Sequence, residues 1–168
     1  IIQRLAKASQ AGVSIQLLVR GICCLLPGVP GETENISVIS IVGRFLEHSR
    51  IYCFGAREEI EVYISSGDMM TRNTEKRVEI ACPILDGQLK KRILSMLDIM
   101  FVDNVKAREM HSDGSYTCRT PGNEHPINAQ EIFIEQALHP TVQEEEREGI
   151  SFRERFHRYL ELRRKIKD

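Results

Sequence analysis

Apolar positions at Ile1, Leu5 and Ala8 recur at helical spacing ahead of Gly12, which predicts a short helix stopped by that glycine. Ser14 to Val19 is a short apolar run with β-branched residues and reads as a strand. Leu26 to Asn35 holds Pro27, Gly28, Pro30 and Gly31, a composition that ends the strand and demands a loop. Ile36 to Gly43 resumes as a strand or a short helix. Arg50 to Phe54, Glu61 to Ile64 and Arg77 to Cys82 predict three further strands that together make a sheet. From Gln88 to Met100, apolar residues at Leu89, Ile93, Met96, Leu97 and Met100 fall three or four apart, so an amphipathic helix covers one face of that sheet. Asp113-Gly114 between Val105 to Met110 and Ser115 to Arg119 is a strong hairpin signal, and Asn128 to Leu138 reads as another helix.

The alternation of strands and helices predicts an α/β domain with a mixed central sheet flanked by helices. Beyond it, residues 144–148 are mostly acidic and 153–167 mostly basic, with Phe152, Phe156, Tyr159 and Leu160 on one helical face. The expected organisation is one domain over residues 1–138 and a charged helical extension over 139–168. A chain of 168 residues is long enough to bury about two-thirds of its unfolded surface. The first residue is Ile1 and a helical pattern is already under way there, so an excised part of a larger protein is expected.

Charge narrows the possible partners. Lys and Arg number 23 against 24 Asp and Glu, without the basic excess of a non-specific nucleic-acid binder, so any anion site must be local. No apolar stretch approaches the roughly 20 residues that span a bilayer, and the N-terminus lacks a basic region followed by an apolar core, so a soluble cytoplasmic protein is expected, peripheral membrane association being left open. The five cysteines, Cys23, Cys24, Cys53, Cys82 and Cys118, form no CxxC pair and read as reduced thiols.

Three places carry candidate chemistry. His48 and Arg50 lie two apart, so a strand through them projects both from one face. Such a pair suits phosphoryl chemistry, since Arg offers a planar fork to phosphate oxygens and His exchanges protons near neutral pH. Arg20 closes the apolar strand Ser14 to Val19, and ligands of open α/β sheets sit at the carboxyl ends of strands. Ser65-Ser66-Gly67-Asp68 follows a strand and leads to Arg72, Asn73, Arg77 and Glu79, gathering small residues and guanidinium groups in one connection. The Pro/Gly loop after Arg20 is not a Walker-type phosphate loop, because no Gly-Lys-Ser/Thr follows Gly31. His111, His125, His139 and His157 have no matching partners and read as structural or exposed.

Three blocks of residues resemble the polyphosphate kinases. They are Val19-Arg20-Gly21-Ile22-Cys23-Cys24-Leu25 with Pro27-Gly28-Val29-Pro30-Gly31 and Glu34-Asn35-Ile36; Ser40 through Ile51, including Glu47-His48-Ser49-Arg50; and Tyr63-Ile64-Ser65-Ser66 through Arg72-Asn73 and Arg77-Val78-Glu79. The resemblance spans about residues 1–138 and fades in the charged tail. It implies the C-terminal catalytic domain of an enzyme that reversibly moves the terminal phosphate of ATP onto inorganic polyphosphate, leaving ADP, through a phosphohistidine and with Mg2+. It also implies a phospholipase D-like fold, in which His48-Ser49-Arg50 and Ser65-Ser66-Gly67-Asp68 look like counterparts of a His-x-Lys motif and a Gly-Ser-x-Asn-like turn. Arg50 for Lys and Asp68 for Asn are departures.

By the same resemblance the phosphorylated histidine and the Mg2+ ligands lie outside this chain, in a preceding domain of the same polypeptide, and the full-length enzyme is a homo-oligomer. His48 is then the facing catalytic histidine and Arg20 an ATP-phosphate contact, with Arg50, Arg72 and Arg77 as further phosphate-binding candidates. Two other classes compete. A phospholipase D-type phosphodiesterase needs two such motifs, from one chain or from a homodimer, and only one is present, with its Lys replaced; a non-catalytic anion-binding or interaction module is compatible with the missing nucleophile.

Overall fold

The computed structural model describes residues 1–55 and 59–139. The expected tail helix with Phe152, Phe156, Tyr159 and Leu160 lies outside the described residues. By internal packing the chain divides into two units, Ile1–Gln130 and Glu131–Asp168, and the described part of the second is the body of one helix.

The fold is mixed α/β. Helix α1 (Ile2–Gln10) leads into β1 (Ile15–Leu18), and a turn-rich loop then delivers β2 (Ile36–Ile41). These strands pair in parallel, Ile15 opposite Ile36 and Leu18 opposite Ile39. Strand β2 is the buried centre of its sheet, because five of its six residues are inaccessible and it has a neighbour on each side. That burial on both faces explains why its sequence showed no strict alternation.

On the far side of β2 the antiparallel hairpin β6 (Ala107–Met110) and β7 (Tyr116–Cys118) completes a four-stranded sheet in the order β1-β2-β6-β7. The hairpin turns at Gly114, whose φ of +83° belongs to the left-handed region that glycine enters without penalty. Under this sheet Leu25, Ile36, Val38 and Met110 form a buried cluster, edged by Leu5, Ile15, Leu17 and Val19.

The second sheet is antiparallel and three-stranded: β3 (Ile51–Phe54), β4 (Glu61–Ser65) and β5 (Ala81–Pro83), in chain order. The strands therefore divide between a mixed sheet and a separate antiparallel one. Helix α3 (Gly87–Phe101) is capped by Asp86, whose carboxylate accepts from the Leu89 amide, and its Lys90 ammonium reaches the Ile60 carbonyl just ahead of β4. Helix α4 (Ala129–Leu138) matches the expected segment.

Two local features differ from the sequence reading. The strand expected over Arg77 to Cys82 forms only from Ala81, because Val78 and Ile80, which gave the alternation, are both exposed and have no core to face. Ahead of it the connection folds into a short helix, α2 (Thr71–Lys76), whose residues Thr-Arg-Asn-Thr-Glu-Lys carry no apolar stripe by which to recognise it.

Candidate phosphate-binding site

Both sheets feed one region. The carboxyl ends of the parallel strands β1 and β2 release Arg20 and the segment from Val42 to Ser49, as expected for ligand-binding loops of α/β sheets. In the second sheet Arg50 lies just before β3, and its carbonyl accepts from the Ser65 amide at the end of β4. Three residues beyond Ser65 the chain reaches Asp68, so strand pairing delivers Asp68 beside Arg50. The Asp68 carbonyl is held in turn by the Met70 amide and the Asn73 side chain.

The loop that carries His48 is pinned at two points. Gln130 grips Phe45, accepting from its amide at 3.0 Å and donating to its carbonyl at 2.8 Å, while the same Nε2 donates to Glu47 Oε1 at 2.6 Å. Gly43 makes room for this, since a Cβ there would collide with Gln130 Oε1. Arg20 Nη1 donates to the Glu47 carbonyl at 3.1 Å. Gln130 is itself placed by Asp103, which is fully buried: Oδ1 accepts the amides of Val105, Lys106 and Ala107, and Oδ2 that of Ala129.

At the centre stands the Asp68 carboxylate between two guanidinium groups. Arg20 Nη2 donates to both its oxygens, at 3.0 and 2.9 Å, and Arg50 donates through Nε at 3.1 Å and Nη2 at 3.3 Å. The remaining amino group of Arg50 reaches His48, donating to ring Nδ1 at 3.1 Å and to the backbone carbonyl at 3.2 Å. The Arg50 hydrogen bonds, ahead of the charges of both arginines, hold the Asp68 carboxyl below its usual range. Tyr52 donates to the Gly67 carbonyl, and burial, followed by the Asp68 charge, raises its phenol.

His48 is exposed, whereas Arg20 and Arg50 are half-buried. An open cleft of about 500 Å³ adjoins the histidine, with Ser49, Arg50 and Ser65 on one side and Ile93 and Met96 of α3 on another. Two cations and one anion beside a ring in an open cleft leave a net positive site. It suits an anion with several oxygens.

Residues 1–130 match the family described as Polyphosphate kinase C-terminal domain 2. The chain belongs to this family. A polyphosphate kinase of Bacillus cereus is 50% identical over 141 residues, which cover 84% of this chain and 20% of the relative. One from Synechocystis is 48% identical over 147 residues, covering 87% of this chain and 20% of the relative. The crystal structure of polyphosphate kinase from Porphyromonas gingivalis superposes with a TM-score of 0.78 at 42% identity, over 83% of this chain and 21% of that one. The α/β fold, read as phospholipase D-like, is thus that of a polyphosphate kinase domain. The chain spans about a fifth of the length of the curated relatives it matches.

Of the candidates named from sequence, the polyphosphate kinase domain brings Arg20, His48 and Arg50 together. Arg72 lies on α2 and Arg77 follows its last residue; both are exposed and neither side chain makes a hydrogen bond or ion pair among the described residues. Arg77 lines a different cavity, of about 530 Å³, with Tyr52, Phe54 and Tyr63. Sequence reasoning missed Asp103 and Gln130 entirely. Asp103-Asn104 just past the end of α3 is turn chemistry that could have flagged the first.

Among the described residues no group of three or more His, Cys, Asp or Glu side chains could hold an ion. Asp68, the carboxylate between the candidate cations, is already engaged by Arg20 and Arg50. Among the described residues no helix is long and apolar enough to cross a membrane.

Proposed function

We propose that this domain supplies one wall of a polyphosphate kinase active site, holding the terminal phosphates of ATP and the end of a polyphosphate chain against a phosphohistidine carried on a preceding domain. The observation that carries the reading is the convergence of Arg20 and Arg50 on Asp68, with His48 exposed at the edge of that cluster.

In the forward direction the bond between the γ-phosphorus of ATP and its bridging oxygen breaks, a phosphorus–nitrogen bond forms on the other domain's imidazole, and ADP leaves. The phosphorus–nitrogen bond then breaks as a terminal oxygen of polyphosphate takes the phosphoryl group, lengthening the chain by one unit. Such a transfer depends on positioning and on neutralising charge that spreads over the phosphoryl oxygens. Arg20 supplies a fixed cation whose Nε and spare N–H groups remain for phosphate oxygens, and His48 faces the transferring group. Arg72 and Arg77, exposed and without ion pairs among the described residues, are further anion contacts along the path of the chain. The Mg2+ that the family resemblance implies takes its ligands from outside this chain, and no step above is routed through it.

The test is His48→Ala in the complete polyphosphate kinase that carries this domain. A positioned histidine contributes about 10² to 10⁴-fold, so polyphosphate synthesis should fall by that much while the thermal unfolding profile stays unchanged. Turnover near wild type with both substrates saturating would make His48 a surface residue and remove the reading.

A further inference from the structure

Arg50 brings a cation to the cleft, yet its donors are largely spent within the protein. It makes four hydrogen bonds: Nε and Nη2 to Asp68, and Nη1 to the ring and the carbonyl of His48. A guanidinium carries five N–H groups and has no acceptor. One donor remains for a ligand, so the geometry points to an orienting role for this residue.

We infer that Asp68, acting through Arg50, fixes His48 as the tautomer that carries its proton on Nε2, so that the ring presents a hydrogen-bond donor to the cleft. The direction of the Arg50 to His48 contact carries the argument. Arginine only donates, so His48 Nδ1, 3.1 Å from Arg50 Nη1, must accept with its lone pair. A proton on Nδ1 would set donor against donor. In the neutral ring the one remaining proton therefore sits on Nε2, at the opposite edge from Arg50.

Asp68 is what makes this arrangement rigid. It takes the other edge of the Arg50 fork through both carboxylate oxygens, while Arg20 takes the same carboxylate and the Glu47 carbonyl next to His48. Five residues form a closed circuit: Asp68 to Arg50, Arg50 to His48, the adjoining Glu47 backbone to Arg20, and Arg20 back to Asp68. Rotation of the Arg50 plane breaks at least two of these bonds together. Asp68 is thus a positioning residue. An Asn there would donate from one of the two atoms that now accept from the guanidinium groups.

The consequence deepens the proposed function and rests on it: His48 enters the reaction as a donor. Its Nε2–H stabilises a phosphoryl oxygen or the leaving bridging oxygen in the forward direction, rather than drawing a proton from the incoming group. A donor aimed where charge develops lowers the barrier without reorganisation.

The tautomer is measurable without any turnover. The 168-residue chain, labelled with ¹⁵N histidine and held well above the ordinary imidazole pKa of about 6.5, gives long-range proton–nitrogen correlations that report which ring nitrogen is protonated. The His48 set is assigned by its loss in His48→Gln. The expected result is a protonated Nε2 and a bare Nδ1 in the wild type, collapsing towards an averaged mixture in Asp68→Asn with the amide spectrum otherwise retained. Should Asp68→Asn not fold, Arg50→Lys, which keeps the charge and loses the fork, carries the same comparison. A protonated Nδ1 in the wild type, or an unmoved tautomer in the folded variant, overturns the inference. In the complete enzyme Asp68→Asn should lower kcat roughly 10 to 100-fold, the scale expected when a ligand's or base's outer partner is removed. If His48→Ala leaves synthesis intact while the spectra show a protonated Nε2, the functional reading falls and the tautomer assignment stands; the reverse pattern separates them the other way.

Discussion

Asp68 and Asp103 are both aspartates ringed by donors, and they do opposite work. Asp103 is fully buried and accepts four backbone amides, from Val105, Lys106, Ala107 and Ala129. Asp68 keeps 35% of its side chain exposed and accepts only from the side chains of Arg20 and Arg50. The first ties main chain to main chain, joining the end of α3, the start of β6 and the first turn of α4. The second ties functional groups to one another and leaves the main chain alone. A carboxylate that collects amides specifies the fold, whereas one that collects guanidinium groups at a cleft specifies a site.

The largest effect should come from breaking the first of these. Asp103→Ala leaves four backbone amides without their acceptor, and those of Ala107 and Ala129 are buried. Hydrogen bonds to charged acceptors are worth about 1.5 to 3 kcal/mol each and orphaned donors add to the loss, so a fall in stability on the order of 4 kcal/mol or more is expected. That is a large share of the roughly 5 to 15 kcal/mol of an ordinary domain. Urea denaturation followed by circular dichroism checks it; a midpoint within experimental scatter of wild type would show that the four amides find other partners.

Arg20→Lys breaks the second region without removing its charge. An ammonium cannot span Asp68 and the Glu47 carbonyl together, so both the cluster and the phosphate fork are lost. In the complete enzyme the KM for ATP should rise about 10-fold, the equivalent of one charge-assisted hydrogen bond, with the unfolding midpoint scarcely changed. Unaltered ATP kinetics would reduce Arg20 to a strand-end residue whose ion pair is structural.

The smallest effect sharpens the contrast through pH. The folded-state pKa of Asp68 is lowered below its ordinary 3.8, first by the Arg50 hydrogen bonds. Its contribution to stability is therefore fully present above the unfolded value and is lost as pH falls through the folded one. The stability difference between wild type and Asp68→Asn should stay constant at neutral pH and shrink from about pH 3.8 downward. Thermal melts of the two proteins across that range test this, and a gap that widens in acid would mean that the guanidinium contacts do not favour the carboxylate.

The same contrast explains what could be read from the chain. Local pattern revealed α3, because Leu89, Ile93, Met96, Leu97 and Met100 repeat at helical spacing, and the hairpin at Gly114, because Asp113-Gly114 puts a glycine where the turn needs positive φ. The partition of strands into two sheets was not legible, since strand pairing is set by contacts distant in sequence. Arg20 reads from sequence as a single residue of apt chemistry, and His48 and Arg50 as a pair two positions apart. What joins them was not legible, because Asp68 meets Arg20 across 48 positions and Gln130 meets Phe45 across 85. Helix α2 escaped for a different reason, having no apolar face to periodise.

The central claim, that this domain is one wall of a site completed elsewhere, is tested most directly with the 168-residue chain by itself. The purified chain is incubated with Mg2+, a polyphosphate primer and ATP labelled at the γ-phosphate, and both ADP release and acid-labile phosphate on the protein are followed. The account predicts binding of ATP or polyphosphate without steady ADP release and without label on His48. Steady turnover by the chain alone, abolished by His48→Ala, would show that it holds a complete active site and would contradict the account.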